Sequence, residues 1–505
     1  MSIVIIEFIF IIGFLCIHNF RYFRNFGTKF YPHNEETIAI RISGTYENIT
    51  IDNLPGSWNN WEWAKNQVWC SGLGTYENPY VIQGHTIGID NTLDGIKISN
   101  SHGIYFIIKD SSFIWDGFMR IGMEVGIMLS NSTLGTIINN TFQETSNGIN
   151  VNDCKDLIIT NNTVYNMWGG ITLIQSDFCE ISENIINKTE NGIGVTNCAN
   201  NTVKNNKVYD SEYGIYVSNS QYNDIFGNIA NDNNIAGIFL GFSDNNNITD
   251  NTARNNIDGV FLEDDCDNNF LMDNNFSNNE IGIQLYYSDI NNITKNIANK
   301  NSDYGIRLEG SSLNTITENS FNNNTLYGMF LHTMSHNNEI SGNTINNNLD
   351  SGIYLDDDSD YNDIIDNILK NNNQGIYLYT DCANNSIYKN SFLENGIHAV
   401  DDGTDNEWNS TTIGNYWDNH TGPDDNNDGI VDIPYIYIGG IAGSIDYLPI
   451  AEELAPGGLD PGVIAVIVMI SVIGGVVLLG VVLVLLEKKG KISFEKIKGY
   501  LSRRK

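Results

Sequence analysis

Apolar positions along this chain fall into a repeating phrase rather than into long runs. Gly-Ile-x-Leu or a close variant stands at Gly126-Ile127-Met128-Leu129, Gly148-Ile149-Asn150-Val151, Gly170-Ile171-Thr172-Leu173 and Gly192-Ile193-Gly194-Val195. It continues through Gly214, Gly237, Gly259, Gly282, Gly305, Gly328, Gly352 and Gly375 to Gly396-Ile397-His398-Ala399, in steps of 21 to 24 residues. A fixed period of this size, with no helical phrasing inside it, predicts a solenoid. Each repeat carries two further apolar signals. One stands three residues before an asparagine, as in Ile159 and Asn162, Ile181 and Asn184, or Ile316 and Asn319; the other follows that asparagine by two, as in Val164, Ile186 and Phe321. A repeat therefore reads as three short strands joined by polar turns. Strands this short cannot pair within a rung, so each pairs with its equivalent one rung on. The result is a set of parallel sheets wound into a β-helix, with rungs about 4.8 Å apart and a body about 60 Å long.

The polar positions are equally periodic. A second asparagine register, Asn201, Asn223, Asn246, Asn291, Asn314, Asn338, Asn362 and Asn385, lies five residues before the first. Identical amides stacked at rung spacing hydrogen-bond along the column, so the asparagine richness reads as architecture. Ser132, Cys154, Ser176, Cys198, Ser220, Ser243, Cys266, Ser288, Ser311, Ser359 and Cys382 share one place after the repeat glycine. A position that accepts Ser or Cys alike wants a small side chain at an interior turn. The chain has seven cysteines and no C-x-x-C pair, so buried free thiols are expected rather than a zinc ribbon or a redox pair.

The regular phrase occupies residues 126–400 and is flanked by other kinds of sequence. Residues 1–30 hold an apolar stretch, Ile3 to Ile17, followed by Arg21, Arg24 and Lys29, which reads as a signal peptide or signal anchor. Residues 35–125 form an N-terminal cap and irregular first rungs: Gly95-Ile96-Lys97-Ile98 is an early copy of the phrase, and Trp58, Trp61, Trp63 and Trp69 cover the open end. With that copy the solenoid has about 13 to 14 rungs. Residues 401–450 form a C-terminal cap, and 451–462 a linker. Val463 to Leu486 is free of charge for 24 residues, long enough for a transmembrane helix. Residues 487–505 carry eight Lys or Arg against two Glu. That basic tail predicts a single-pass plasma-membrane protein, tail in the cytoplasm and solenoid outside. Sequons such as Asn48-Ile49-Thr50, Asn131-Ser132-Thr133 and Asn409-Ser410-Thr411 fit an exported glycoprotein, although an Asn-rich chain produces many by chance.

Charge narrows the function classes. The formal net charge is −35, and the few Lys and Arg of the repeats are scattered, which excludes a nucleic-acid surface.

The period, the Gly-Ile-x-Leu phrase with its Asn-x-Ile-x-x-Asn partner, Gly414-Asn415-Tyr416-Trp417-Asp418, and the Asp/Asn/Gly loop ending in Asp432-Ile433-Pro434-Tyr435 together resemble the NosD-like β-helix repeat family over about residues 70 to 450. The resemblance implies an all-β fold, a right-handed parallel β-helix. It implies activity only weakly, because function lives in sites grafted on folds. The family takes its name from a periplasmic protein that helps copper reach nitrous oxide reductase. Its repeats also look like those of carbohydrate-binding proteins and sugar hydrolases.

Candidate chemistry follows from side-chain parity. If Ile and Leu of the phrase point inward, the residue between them points out. Along successive rungs that column includes Tyr216, Phe239, Phe261, Gln284, Arg307, Phe330, Tyr354 and Tyr377, and the next outward position gives Glu263, Tyr286, Glu309, His332, Asp356 and Tyr379. Aromatic faces flanked by acids suit a polysaccharide, whose rings stack on them while its hydroxyls meet the carboxylates. The alternative is that the aromatics stack on one another and only stabilise the sheet. Glu263, Arg307, Glu309 and Asp356 are candidates for catalysis by a polysaccharide lyase, hydrolase or epimerase, although no paired-carboxylate motif marks them. His332-Thr333-Met334-Ser335-His336 offers imidazole and thioether to copper, with Met334 falling in the Ser/Cys ladder. Asp424, Asn426, Asp428 and Asp432 match the front of a calcium loop, but Tyr435 stands where the bidentate Glu belongs. The reading that results is a membrane-anchored surface module whose partners are extracellular glycans or surface-layer components. A carbohydrate-active enzyme and a copper-delivery accessory are the alternatives.

Overall fold

A computed structural model describes residues 45–46, 48–89, 94–115 and 124–452. The Gly-Ile strands form one parallel sheet of fifteen strands, from Ile49–Asp52 to Ile397–Asp401, so fourteen turns separate first from last. A second fifteen-stranded sheet runs from Cys70–Ser71 to Ser386–Tyr388. The third face has eight strands from Thr45–Tyr46 to Ile229–Asn231, single bridges at Thr252, Asn275, Ile297 and Ser320, then four strands from Thr344–Asn346 to Tyr416–Trp417. Pairing between the described strands is parallel, one rung to the next, except where Cys70–Ser71 meets Tyr80–Gln83 antiparallel. This is the expected all-β solenoid. The earliest Gly-Ile-sheet strand, Ile49–Asp52, has no glycine and so was invisible to the phrase.

Parity holds throughout the regular rungs. From Ile127 to Leu378 both apolar residues of every phrase are 0% exposed and fill the interior. The glycine has its own reason. A Cβ on Gly305 would lie 2.5 Å from the carbonyl oxygen of Gly328 one rung on, and the same collision recurs at Gly259 and Gly282. The chain turns inward at this point, closer to its neighbour than any side chain permits. As a consequence the residue before the glycine and the residue after the isoleucine both stand on the outer face.

Asparagines line the corners in three ladders. In the first, each backbone amide from Asn140 to Asn390 donates to the side-chain oxygen of the asparagine one rung on, ending at Asn415. The second runs from Asn201 to Asn406. The third, from Asn233 to Asn395, is a further finding: each of its members follows the first register by five residues, as Asn233 follows Asn228. The Ser/Cys ladder works the same way, with Cys154 donating its amide to Ser176 Oγ at 3.0 Å and Ser176 to Cys198 Sγ at 3.3 Å. One assignment to that ladder is corrected. Ser311 donates to Ser335 Oγ at 3.2 Å, while Met334 is 52% exposed at a left-handed corner, because this rung carries an extra residue there. The described cysteines are free and buried, and burial pushes the thiols up, to about 11 at Cys154 and about 12 at Cys266 and Cys382.

Aromatic residues close both ends. At the start, a short helix Trp61–Ala64 sets Trp61 flat on Tyr80 at 4.6 Å, its indole donating to Ser101 Oγ at 2.7 Å. At the other end Gly414-Asn415-Tyr416-Trp417-Asp418 explains itself: Asn415 takes the last place in the first ladder, and Trp417 covers Phe392 at 4.2 Å and is covered by Tyr435 at 4.0 Å. Two buried carboxylates fasten this lid. Asp446 accepts from Trp417 Nε1 at 2.9 Å and from the Asn415 amide at 2.8 Å; Asp401 accepts from Trp408 Nε1 at 2.8 Å.

The leader at 1–30, the Val463–Leu486 span and the basic tail lie outside the described residues. Among the described residues no helix is long and apolar enough to cross a membrane.

Candidate functional site

The Gly-Ile sheet brings the outward residues into register one rung apart. Tyr216, Phe239, Phe261, Gln284, Arg307, Phe330, Tyr354 and Tyr377 are successive partners, and so are Glu263, Tyr286, Glu309 and His332. Because the chain turns at the glycine, a third column joins them, Tyr213, Ala236, Asp258, Ile281 and Tyr304, with Tyr327 one rung further.

Two aromatic patches result. In the first, Tyr216 stacks on Phe239 at 5.0 Å, Tyr213 meets both edge-on, and Phe261 closes on Phe239 at 5.6 Å. Phe239 is only 6% exposed beneath these neighbours, so it supports the patch and presents no face to a ligand. The second patch is larger. Tyr304, Tyr327, Phe330, Tyr354 and Tyr377 follow one another at 4.8 to 5.6 Å between ring centres, with Tyr379 at its margin. Carboxylates hold two of these rings by their hydroxyls: Tyr354 donates to Asp356 at 3.2 Å and Tyr377 to Asp402 at 3.0 Å.

Between the patches lies an ionic centre. Arg307 Nη2 donates to Glu309 Oε2 at 2.7 Å, and its Nε donates to His332 Nε2 at 3.1 Å. His332 Nδ1 meets Thr333 Oγ1 at 2.9 Å. His332 also lies flat on Phe330 at 4.5 Å. The imidazole 3.5 Å from Glu309, and then the guanidinium charge, hold that carboxyl below the usual range. Gln284 is 3% exposed and floors the centre. Asp258 is the opposite case from Glu309. It is 5% exposed with Oδ1 unpartnered, and burial, reinforced by Glu280 and Glu263 against the pull of Arg307, pushes it well above the ordinary carboxylate range. Sequence reading missed Tyr213, Tyr304, Tyr327 and Asp258. The signal was present, since all precede a repeat glycine, but simple alternation across the glycine assigns them to the wrong face.

The candidate metal ligands have hydrogen-bond partners within the chain. His332 is tied to Arg307, whose charge opposes a cation, and His336 Nδ1 accepts the Asp360 amide at 3.1 Å. Among the described residues no three His, Cys, Asp or Glu side chains gather in a metal-binding group. The Asp424 to Asp432 loop closes on itself: Asp424 accepts the Asp428 and Gly429 amides at 3.1 and 2.9 Å, Asn426 the Asp428 amide at 2.9 Å, Asp428 the Ile430 amide at 2.9 Å, and Asp432 the Asp425 amide at 2.8 Å. Two surface concavities lie away from the aromatic columns, one beside Lys109 and Asn139 and one lined by residues 403–411, 442–445 and 447.

The family described as periplasmic copper-binding protein (NosD) matches residues 59–236, 228–348 and 324–422. The chain belongs to the NosD family. No curated protein matches it. Among solved structures it is similar to the periplasmic alginate epimerase AlgG, at 15% identity and a TM-score of 0.36 over 72% of this chain and 82% of that one. It is also similar to the Azotobacter vinelandii mannuronan C-5 epimerase AlgE4 A-module, at 16% identity and a TM-score of 0.41 over 57% and 85%. The Dettilon tailspike protein gives 15% identity and a TM-score of 0.42 over 52% and 60%. At these values the likeness is one of solenoid winding and carries no residue of a site from those proteins to this NosD-family chain.

Proposed function

We propose that this protein is a surface-displayed glycan-binding module, held at the membrane by Val463–Leu486, and that the outer face of the Gly-Ile sheet is where the glycan lies. The observation that carries the reading is the second aromatic patch. Rings that only stabilised a sheet would need no hydroxyl anchors, yet Tyr354 and Tyr377 are each fixed by a carboxylate while keeping part of the ring open to solvent. Fixed, partly exposed rings at rung spacing form a platform for successive sugars, and the order is already built before a ligand arrives.

The test is a glycan array probed with the full-length protein and with a Tyr354→Ala/Tyr377→Ala variant. Binding is expected for the parent and absent for the variant, with the two melting at closely similar temperatures because neither ring belongs to the interior. Undiminished binding by the variant would reduce the aromatics to sheet stabilisers. Release of reducing or unsaturated ends from a bound polysaccharide would mark an enzyme instead of a binding module.

A further inference from the structure

The two ends of the solenoid differ in charge. At the C-terminal end, residues 433–450 form the last layer among the described residues. Gly439 bridges Val400 and Ile450 bridges Tyr416, each one rung beyond the last strand of its sheet, and Tyr435 bridges Asp446 across the layer. In a chain of which 17% is charged, residues 433–451 contain one charged side chain, Asp446, and that one is buried against Trp417. The same layer presents large apolar groups to solvent: Ile433, Ile436, Tyr437, Ile441 and Tyr447 are 52 to 81% exposed. Apolar residues scattered singly over a surface need no explanation, but five on one uncharged layer mark a contact surface. At the other end Trp58 and Tyr76 are as exposed, yet Glu62, Lys65 and Glu77 stand among them. The uncharged end is also the one nearer in sequence to the charge-free span. Ten residues, 453–462, separate Glu452 from Val463, and fully extended they reach at most about 40 Å.

We infer that this last layer rests in the headgroup region of a zwitterionic bilayer, its exposed isoleucines and tyrosines dipping into the boundary and the solenoid standing on end. This rests on the membrane reading of Val463–Leu486. A span at the bilayer and a short tether hold the layer at high effective concentration beside an apolar boundary, so little further energy is needed to seat it. Tyrosine suits that depth, because its ring meets the acyl chains while its hydroxyl stays wet. Asp425, Asp428 and Asp432, exposed just before the layer, repel anionic headgroups and favour neutral ones. Standing on end, the solenoid carries the aromatic columns of the Gly-Ile sheet outward from the membrane, rung by rung.

The test reconstitutes the full-length protein in phosphatidylcholine vesicles containing a photoreactive phosphatidylcholine and maps the lipid adducts by mass spectrometry. Adducts on residues 433–447 are expected at about tenfold the density found around Trp58 and Tyr76, and Ile436→Glu/Ile441→Glu should lower them by about the same factor, since charge is disfavoured at the boundary. Both positions are exposed, so the variant should melt with the parent and still float with the vesicles through its span. If the protein floats but the adducts are no denser on this layer than at the other end, or are unchanged in the variant, the inference is overturned while the anchor stands. Cross-links from this layer to the same layer of a second copy, without lipid adducts, would also overturn it. If the protein does not float, the anchor itself falls and takes this inference with it.

Discussion

Replacing Leu308 with Asp should abolish the cooperative unfolding of the central rungs, lowering the melting temperature by about 10 °C or more. Leu308 is fully buried and lies in register between Leu285 and Leu331, so no water reaches it from either side. Removing the side chain forfeits about 2–5 kcal/mol of packing, and a buried carboxylate without a partner adds several more. In a solenoid each rung touches only its neighbours, so the damage spreads along the stack from the rung that carries it. Arg307→Gln, one residue away on the outer face, is the control and should cost far less, because a neutral side chain replaces a partly exposed ion pair and leaves no charge in the interior. Equal effects from the two would contradict the inward and outward assignment.

The second large effect is expected at Asn319. Its side-chain oxygen accepts from the Asn296 amide at 2.8 Å, and its Nδ2 donates to the Ile293 carbonyl at 2.8 Å and to Asn343 Oδ1 at 3.0 Å. Asn319→Leu keeps the number and branching of heavy atoms and removes all three partners. Each buried polar group left without one costs about 1–3 kcal/mol, so the ladder should lose more than any exposed asparagine of the same chain. Chemical denaturation of Asn319→Leu beside Asn323→Leu, a corner asparagine that does not belong to a ladder, measures the difference. Equal stability of the two variants would mean that the ladders do not hold the rungs together.

These two residues also show how much of the structure was legible beforehand. Leu308 was readable because the interior repeats every rung with the same residue types, and periodicity survives any error in a single rung. Asn319 was readable for the same reason, whereas the places of Asn415 at the end of a ladder and of Trp417 over the core emerged only from the structure. What periodicity could not supply was anything that depends on a local break in alternation. The glycine turns the chain, so Tyr304 and Arg307 face the same way although three residues apart, and a strict two-residue alternation loses the tyrosine column and Asp258. An extra residue in one rung moved the ladder position from Met334 to Ser335. Burial was equally hidden: Phe239 and Gln284 occupy outward positions, and only the size of their neighbours covers them. The first rung lacks the glycine, so counting glycines began one strand late. The parts of the site that escaped the sequence are therefore those made by departures from the repeat.

The central claim is that the outer face of the Gly-Ile sheet is a glycan track. It is tested most directly by a crystal structure of the full-length protein with the oligosaccharide that the array selects. Sugar rings lying over Tyr327, Tyr354 and Tyr377, with the chain running along the rungs toward Arg307, is the result this account predicts. An oligosaccharide seated on another face, or at either capped end, with these rings bare, would contradict it.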